Sequence, residues 1–96
     1  MADAITLRVL TASGPAVEDH AVSIIAPGEV GYLGILCRHA PLVTTLKPGT
    51  LTWRRHDGQT HTRLIGEGLL EITRNQCTVL TDSVSEPADA LAAAHA

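Results

Sequence analysis

The sequence predicts a single all-β domain, and three observations predict it. Eleven threonines, seven valines and six isoleucines make a quarter of the 96 residues β-branched. Such side chains favour the pleated, half-buried surface of a strand. Apolar and polar residues alternate at period two in several short stretches, and Asp57-Gly58 stands between two of them as a strong hairpin signal. A chain of this length buries roughly 60–65% of its unfolded surface, enough for one two-layer core but not for a second domain. Phe is absent and only Tyr32 and Trp53 are aromatic, so that core must be built from Ala, Val, Ile and Leu.

Each element follows in order. Ile5 to Leu10 alternates until its last position and reads as a half-buried strand, broken at Ser13-Gly14-Pro15. A second strand spans Val17 to Ala26, and Pro27-Gly28 ends it as a turn. From Gly28 to Leu36 glycines recur at every third position beside apolar side chains, which suits tight turns and close backbone approach. This segment lacks the Gly-Lys-Ser/Thr and the following helix that phosphate binding requires, so it reads as a structural or contact loop.

With Asp57 and Gly58 as a two-residue loop, Arg54 faces His61, Trp53 faces Thr62 and Leu51 faces Leu64. That register puts Leu51, Trp53, Thr62 and Leu64 on the core side, and Thr52, Arg54, His56, His61 and Arg63 on the wet side. A second hairpin turns near Asn75-Gln76, setting Ile72 against Val79 and placing Cys77 among apolar neighbours as a small core residue. Residues 1–84 form the domain. Residues 85–96 read as a short alanine-rich tail whose helix starts at Ser85 with Pro87 in its first turn, and roughly ten residues are too few for a stable isolated helix.

Charge is sparse, with a net value of −3, which gives no electrostatic footprint for nucleic acid or an anionic bilayer. The two cysteines are too few for a disulfide scaffold, and no apolar run approaches the roughly 20 residues of a membrane-spanning helix. The chain therefore reads as cytoplasmic, with reduced thiols. His56 and His61 could share a metal, but Arg54 and Arg63 flank them and disfavour a cation. Cys37 and His39 offer a thiol near an imidazole, the basis of an alternative reading as a free-standing β-sandwich enzyme or metal protein. No third group orients that base, and Glu67, Glu71 and Asp82 are isolated carboxylates, so neither a catalytic residue nor a metal or cofactor site is assigned.

The run Pro27-Gly28-Glu29-Val30-Gly31-Tyr32-Leu33-Gly34-Ile35-Leu36, followed by His39-Ala40-Pro41-Leu42 and Leu46-Lys47-Pro48-Gly49, resembles the signature of the epsilon subunit of F-type ATP synthases. Leu7 to Leu10, Val22 to Ile25, Gly68 to Ile72 and Thr78 to Asp82 fall in that family's order and spacing, so the resemblance covers about residues 5–84. It implies a flattened, ten-stranded β-sandwich with a non-catalytic role as a rotor subunit of a proton-translocating complex. That subunit links gamma to the membrane c-ring on the cytoplasmic face of the bacterial plasma membrane, and so couples ion flow to ATP synthesis.

Carried over by position, Glu29, Val30, Gly31, Tyr32 and Leu33 are expected to meet the c-ring, with Tyr32 where relatives are often acidic or polar. Thr11, His39, Thr44, Glu71 and Thr78 are expected to face gamma. His39 has a second reading as a loop residue that ties down the turn before Ala40-Pro41. Cys37-Arg38 stands where relatives have a small turn residue and then Gly or Asn, so Arg38 is expected to avoid the left-handed conformation. Most relatives append a helical hairpin of about 30 residues or more. The few residues after Pro87 cannot supply it, so the resemblance predicts neither an ATP site nor inhibition by an extended arm.

Overall fold

The computed structural model describes residues 4–87, and among them it has ten strands. These are β1 (Ile5–Thr11), β2 (Gly14–Ala21), β3 (Ser23–Gly28), β4 (Gly31–Leu36), β5 (Leu42–Leu46), β6 (Gly49–Arg54), β7 (Thr60–Ile65), β8 (Gly68–Thr73), β9 (Gln76–Thr81) and β10 (Val84–Ser85). They form one continuous sheet in the order β10-β7-β6-β3-β5-β8-β9-β1-β2, with β4 added beside β3. The sheet folds over on itself into two layers. The layers join through a single pair, Gly28↔Leu46, and trap Leu7, Val9, Leu70, Cys77 and Val79 of one against Ile24, Ala26, Ile35, Leu51 and Trp53 of the other. The all-β sandwich predicted from sequence is therefore the observed fold.

Several local expectations are corrected. The stretch from Val17 to Ala26 is two strands, because Ala21 pairs with Ile5 in one layer and Ser23 with Arg54 in the other. The chain changes layer at Val22, whose N–H donates to Arg54 O at 2.8 Å. An unbroken β-favouring run hides such a crossing, since neither Gly nor Pro marks it. Pro27 and Gly28 belong to β3, and the turn is Glu29-Val30. Proline is tolerated there because the β3–β6 ladder ends at Ile25, so its missing N–H leaves no gap. Most of the glycine-rich segment is thus strand rather than loop.

Both hairpins are displaced from the predicted register. Arg55 N–H donates to Gln59 O at 2.8 Å and closes a three-residue loop, His56-Asp57-Gly58, with Gly58 at φ 88°. Asp-Gly thus serves a turn followed by a left-handed residue, not a two-residue turn. The pairs become Trp53↔His61, Thr52↔Thr62 and Leu51↔Arg63, which moves His61 and Arg63 onto the face of Trp53 and Leu51. A one-residue slip exchanges the faces of the whole strand. In the second hairpin the loop is Arg74-Asn75, at φ 50° and 60°, and Ile72 opposes Cys77. Cys77 remains a core residue as expected.

Arg38 is the clearest reversal, since it adopts the left-handed conformation at φ 64°. Its N–H donates to Asn75 Oδ1 at 2.6 Å, which anchors the turn from the neighbouring β8–β9 loop. Ser85 ends β10, so the helical conformation begins not there but at Pro87, and residues 88–96 of the expected tail lie outside the described residues.

The far side of the sandwich is closed by polar groups. Trp53, 2% exposed, donates its indole N–H to Asp19 Oδ2 at 2.9 Å, reaching from β6 to β2, and Arg55 approaches Asp19 Oδ1 at 3.5 Å. Partial burial pushes the Asp19 carboxyl up, but the Trp53 indole, the His20 N–H, Arg55 and His61 together outweigh it and hold the group below the ordinary aspartate value. His61 stacks on Trp53 with ring centroids 5.6 Å apart, and the Arg63 guanidinium lies 5.5 Å from the indole centroid.

Candidate interaction surfaces

The tip between β3 and β4 is built by Gly28 and Gly31. A Cβ on Gly28 would meet Gly31 O at 2.8 Å, and Gly31 sits at φ 143°. The tip therefore needs glycine at both ends. Val30 is fully exposed at its apex, beside exposed Glu29 and half-buried Leu33. Beyond the pairing of β3, two hydrogen bonds to side chains at the tip brace the hairpin against the rest of the domain. Thr45 Oγ1 donates to Glu29 Oε2 at 3.2 Å, and Thr50 N–H donates to the Tyr32 hydroxyl at 3.1 Å. The tyrosine also covers Gly49, where a Cβ would meet its hydroxyl at 2.8 Å. Tyr32 thus braces the hairpin while most of its ring faces solvent.

The residues expected to face gamma are distributed, not clustered. Glu71 and Thr78 are directly opposed on the outer face of β8 and β9, with Val43, Leu69 and Leu80 beside them around a shallow recess of about 140 Å³. Val43, Leu69 and Leu80 are exposed, so this face is apolar with a polar centre. Next along the same row, Arg8 and Glu18 pair at 3.2 Å. Thr44 lies on the other side of its strand, because it is paired with buried Leu70 whereas Val43 is paired with Glu71. Thr11 ends β1, near Gly14, while His39 lies beyond the opposite end of that layer, in the loop between β4 and β5. Val43, Leu69 and Leu80 were not singled out from sequence. The alternation Leu70/Ile72 inward already places Leu69 and Glu71 outward, so the signal was present in β8.

His39 is engaged locally. Its Nδ1 is 2.6 Å from Ala40 O and its N–H donates to Leu36 O at 3.2 Å. A carbonyl only accepts, so Nδ1 carries the proton, and the imidazole ties down the turn before Ala40-Pro41. Cys37 packs against the core. Among the described residues, no group of three or more His, Cys, Asp or Glu side chains is placed to hold a metal. The other thiol, Cys77, is fully buried, and burial pushes it up to about 12. Alkylation of the folded chain with iodoacetamide near pH 8 is therefore expected to modify half-buried Cys37 and leave Cys77 unlabelled until urea unfolds the domain. Peptide mass spectrometry before and after unfolding reads this directly.

Comparison with known proteins gives the family. Residues 4–87 match the family described as ATP synthase, Delta/Epsilon chain, beta-sandwich domain. The ATP synthase epsilon chain of Acidithiobacillus ferridurans is 44% identical over 89 residues, covering 93% of this chain and 62% of that protein. Those of Desulfosudis oleivorans and Moorella thermoacetica are 33% and 37% identical, with 67% and 59% of their lengths covered. The chain thus spans about three fifths to two thirds of these relatives. Among solved structures, the Euglena gracilis mitochondrial ATP synthase, comprising OSCP, F1 and the c-ring, aligns with a TM-score of 0.83 at 19% identity, covering 98% of this chain and 62% of that one. The central stalk and c-ring structure from Tetrahymena thermophila aligns at 0.71 and 16% identity, covering 85% of this chain and 66% of that one, and at such identities the likeness speaks to fold. With the family match over residues 4–87 and relatives 33–44% identical over most of its length, the chain belongs to the delta/epsilon β-sandwich family of ATP synthase subunits.

Proposed function

We propose that this domain is the non-catalytic epsilon subunit of an F-type ATP synthase rotor, joining gamma to the c-ring so that ion flow drives ATP synthesis at sites on other chains. The observation that carries the reading is the match over residues 4–87 to a family whose members are named as ATP synthase epsilon chains. Two exposed surfaces support it. The tip at Glu29, Val30, Gly31, Tyr32 and Leu33 is a compact, braced knob suited to the polar loops of the c-ring. The face around Glu71 and Thr78, with exposed Val43, Leu69 and Leu80, offers gamma an apolar patch of the kind that marks protein interfaces. Thr11 and His39 lie toward opposite ends of that layer as further proposed gamma contacts, and Thr44, on the other side of β5 from that face, is proposed as a separate one. The complex lies on the cytoplasmic face of the bacterial plasma membrane, and no helix among the described residues is long and apolar enough to cross it.

Reconstitution with the gamma subunit and c-ring of the same organism tests this. Val30→Asp and Glu71→Lys alter exposed side chains, so each is expected to leave Tm within about 4 °C of the parent, on the usual cost of surface changes within about 0.5 kcal/mol. Combined, they are expected to reduce recovery of the chain in the assembled complex at least tenfold. A correctly folded parent chain that binds neither gamma nor the c-ring would refute the proposal.

A further inference from the structure

β4 pairs with β3 along its length, and among the described residues no strand lies on its other edge. Which of its backbone groups face that edge follows from Pro27. Proline has no N–H, and Pro27 O already accepts from Lys47 N at 2.9 Å, so the pair Pro27↔Tyr32 cannot be mutually hydrogen-bonded. In an antiparallel ladder the bonded and non-bonded pairs alternate, which makes Gly28↔Gly31, Ala26↔Leu33 and Ile24↔Ile35 the bonded ones. Tyr32 and Gly34 therefore direct both N–H and C=O to the open edge. Leu36 directs its N–H there, while its C=O accepts from His39.

The side chains of these same residues share one face. Tyr32 is 61% exposed and Leu36 64% exposed, and between them a Cβ built on Gly34 meets nothing within 4 Å. The strand, GYLGIL, carries neither charge nor proline. The edge strand β2, by contrast, carries Pro15, Glu18, Asp19 and His20, the features that normally block unwanted strand pairing.

We propose that β4 receives an extended segment of another subunit of the synthase as an added strand, bonded through the backbone of Tyr32, Gly34 and Leu36, with a large apolar side chain lying over Gly34. This rests on the rotor reading above, since the β3–β4 tip assigned to the c-ring contact is continuous with the open edge. A second copy of β4 paired about Gly34 would set glycine against glycine, and it fills the gap only when slipped by two residues so that Tyr32 or Leu36 of one copy lies over Gly34 of the other, which is the self-pairing outcome of the test. A foreign strand with a bulky residue at that position fills it, the backbone supplying affinity and the gap selectivity.

Residue-resolved amide hydrogen exchange on the free chain and on the assembled synthase tests the proposal. In the free chain the amides of Tyr32, Gly34 and Leu36 are expected to exchange much faster than those of Leu33 and Ile35. In the assembly they are expected to slow at least 100-fold. Gly34→Pro removes an edge donor that β3 does not use and is expected to assemble at least tenfold more weakly, with Tm within about 4 °C of the parent. Leu36→Lys changes only the exposed face and gives a second variant if the proline interferes with folding. Equal exchange in free and assembled chains, or assembly of both variants at parental levels, overturns the added strand while leaving the rotor reading intact. Protection that appears in the free chain only as its concentration rises marks self-pairing and also overturns it. A parent chain that never enters the complex removes both proposals.

Discussion

Gly68→Ala is expected to lose about 3 kcal/mol of stability, the upper part of the usual range for overpacking, which corresponds to roughly 12–24 °C in Tm for a domain of this size. Gly68 opens β8 between Leu46 of β5 and Thr81 of β9. A Cβ there would run into the carbonyl group of Leu80, with Thr81 Cα also at 3.1 Å. These neighbours are main chain and cannot rotate aside, so relief requires parting two paired strands. The same corner is held by Asp82 N–H to Glu67 O at 3.2 Å and by Thr81 Oγ1 to Glu67 O at 3.0 Å, and displacement of β9 strains both bonds. Gly34→Ala is the matched control. It adds the same methyl group where nothing lies within 4 Å, and is expected to leave Tm unchanged or slightly higher. Thermal melts followed by circular dichroism compare the two, and a Gly68→Ala chain that melts with the parent would show that β8 and β9 separate at little cost.

Trp53→Ala is expected to cost about 3–5 kcal/mol, the usual range for emptying a large aromatic site in a core. That is a large share of the roughly 5–15 kcal/mol that holds a small domain together. The loss has two parts, which a second variant separates. Trp53→Phe keeps most of the packing against Leu51 and His61 but strips Asp19 of its indole donor, a change worth about 1–3 kcal/mol for a partly buried charged acceptor. The carboxylate connects this to pH. Because its folded-state value lies below the unfolded one, Asp19 contributes stability that is present above the ordinary aspartate range and is lost as pH falls through the depressed folded value. Urea midpoints of the parent, followed through its single tryptophan, should therefore exceed those of Asp19→Asn at neutral pH and converge on them in strong acid. A constant gap across the whole range would show that the ionised form has no special role.

How far the fold could be read from the sequence depended on whether a feature is local. Asp57-Gly58 located the first hairpin correctly because turn chemistry is local. It misassigned the register because Gly58 completes a three-residue loop that accepts the same dipeptide. From that single slip came the placement of His61 and Arg63 on the wet side, although they cover Trp53. Arg38 was misjudged for a different reason. Its left-handed backbone is held by Asn75, a partner distant in sequence, which local preference cannot anticipate. The surface around Glu71 was legible one strand at a time through alternation in β8. Its assembly into a patch with Val43 depends on pairing across β5, β8 and β9. Motif spacing, from Pro27 through Gly49, conveyed the family because it compresses many such long-range constraints into one recognisable run.

The pairing of β1 has a consequence for the order of folding. Its partnership with β2 is a local hairpin, but its other edge lies parallel to β9, with Thr6 beside Gln76 and Leu10 beside Leu80. Loop closure on that scale is slow, and chains rich in distant contacts cross their folding barrier late. During synthesis the first strand therefore leaves the ribosome with one neighbour and waits for almost the entire domain before it gains the second. Until Leu80 emerges, Leu7 and Val9 have no lid from β9. β1, although made before every other strand of the domain, is thus among the last to gain both neighbours, and the sheet is completed only when β9 pairs back onto it.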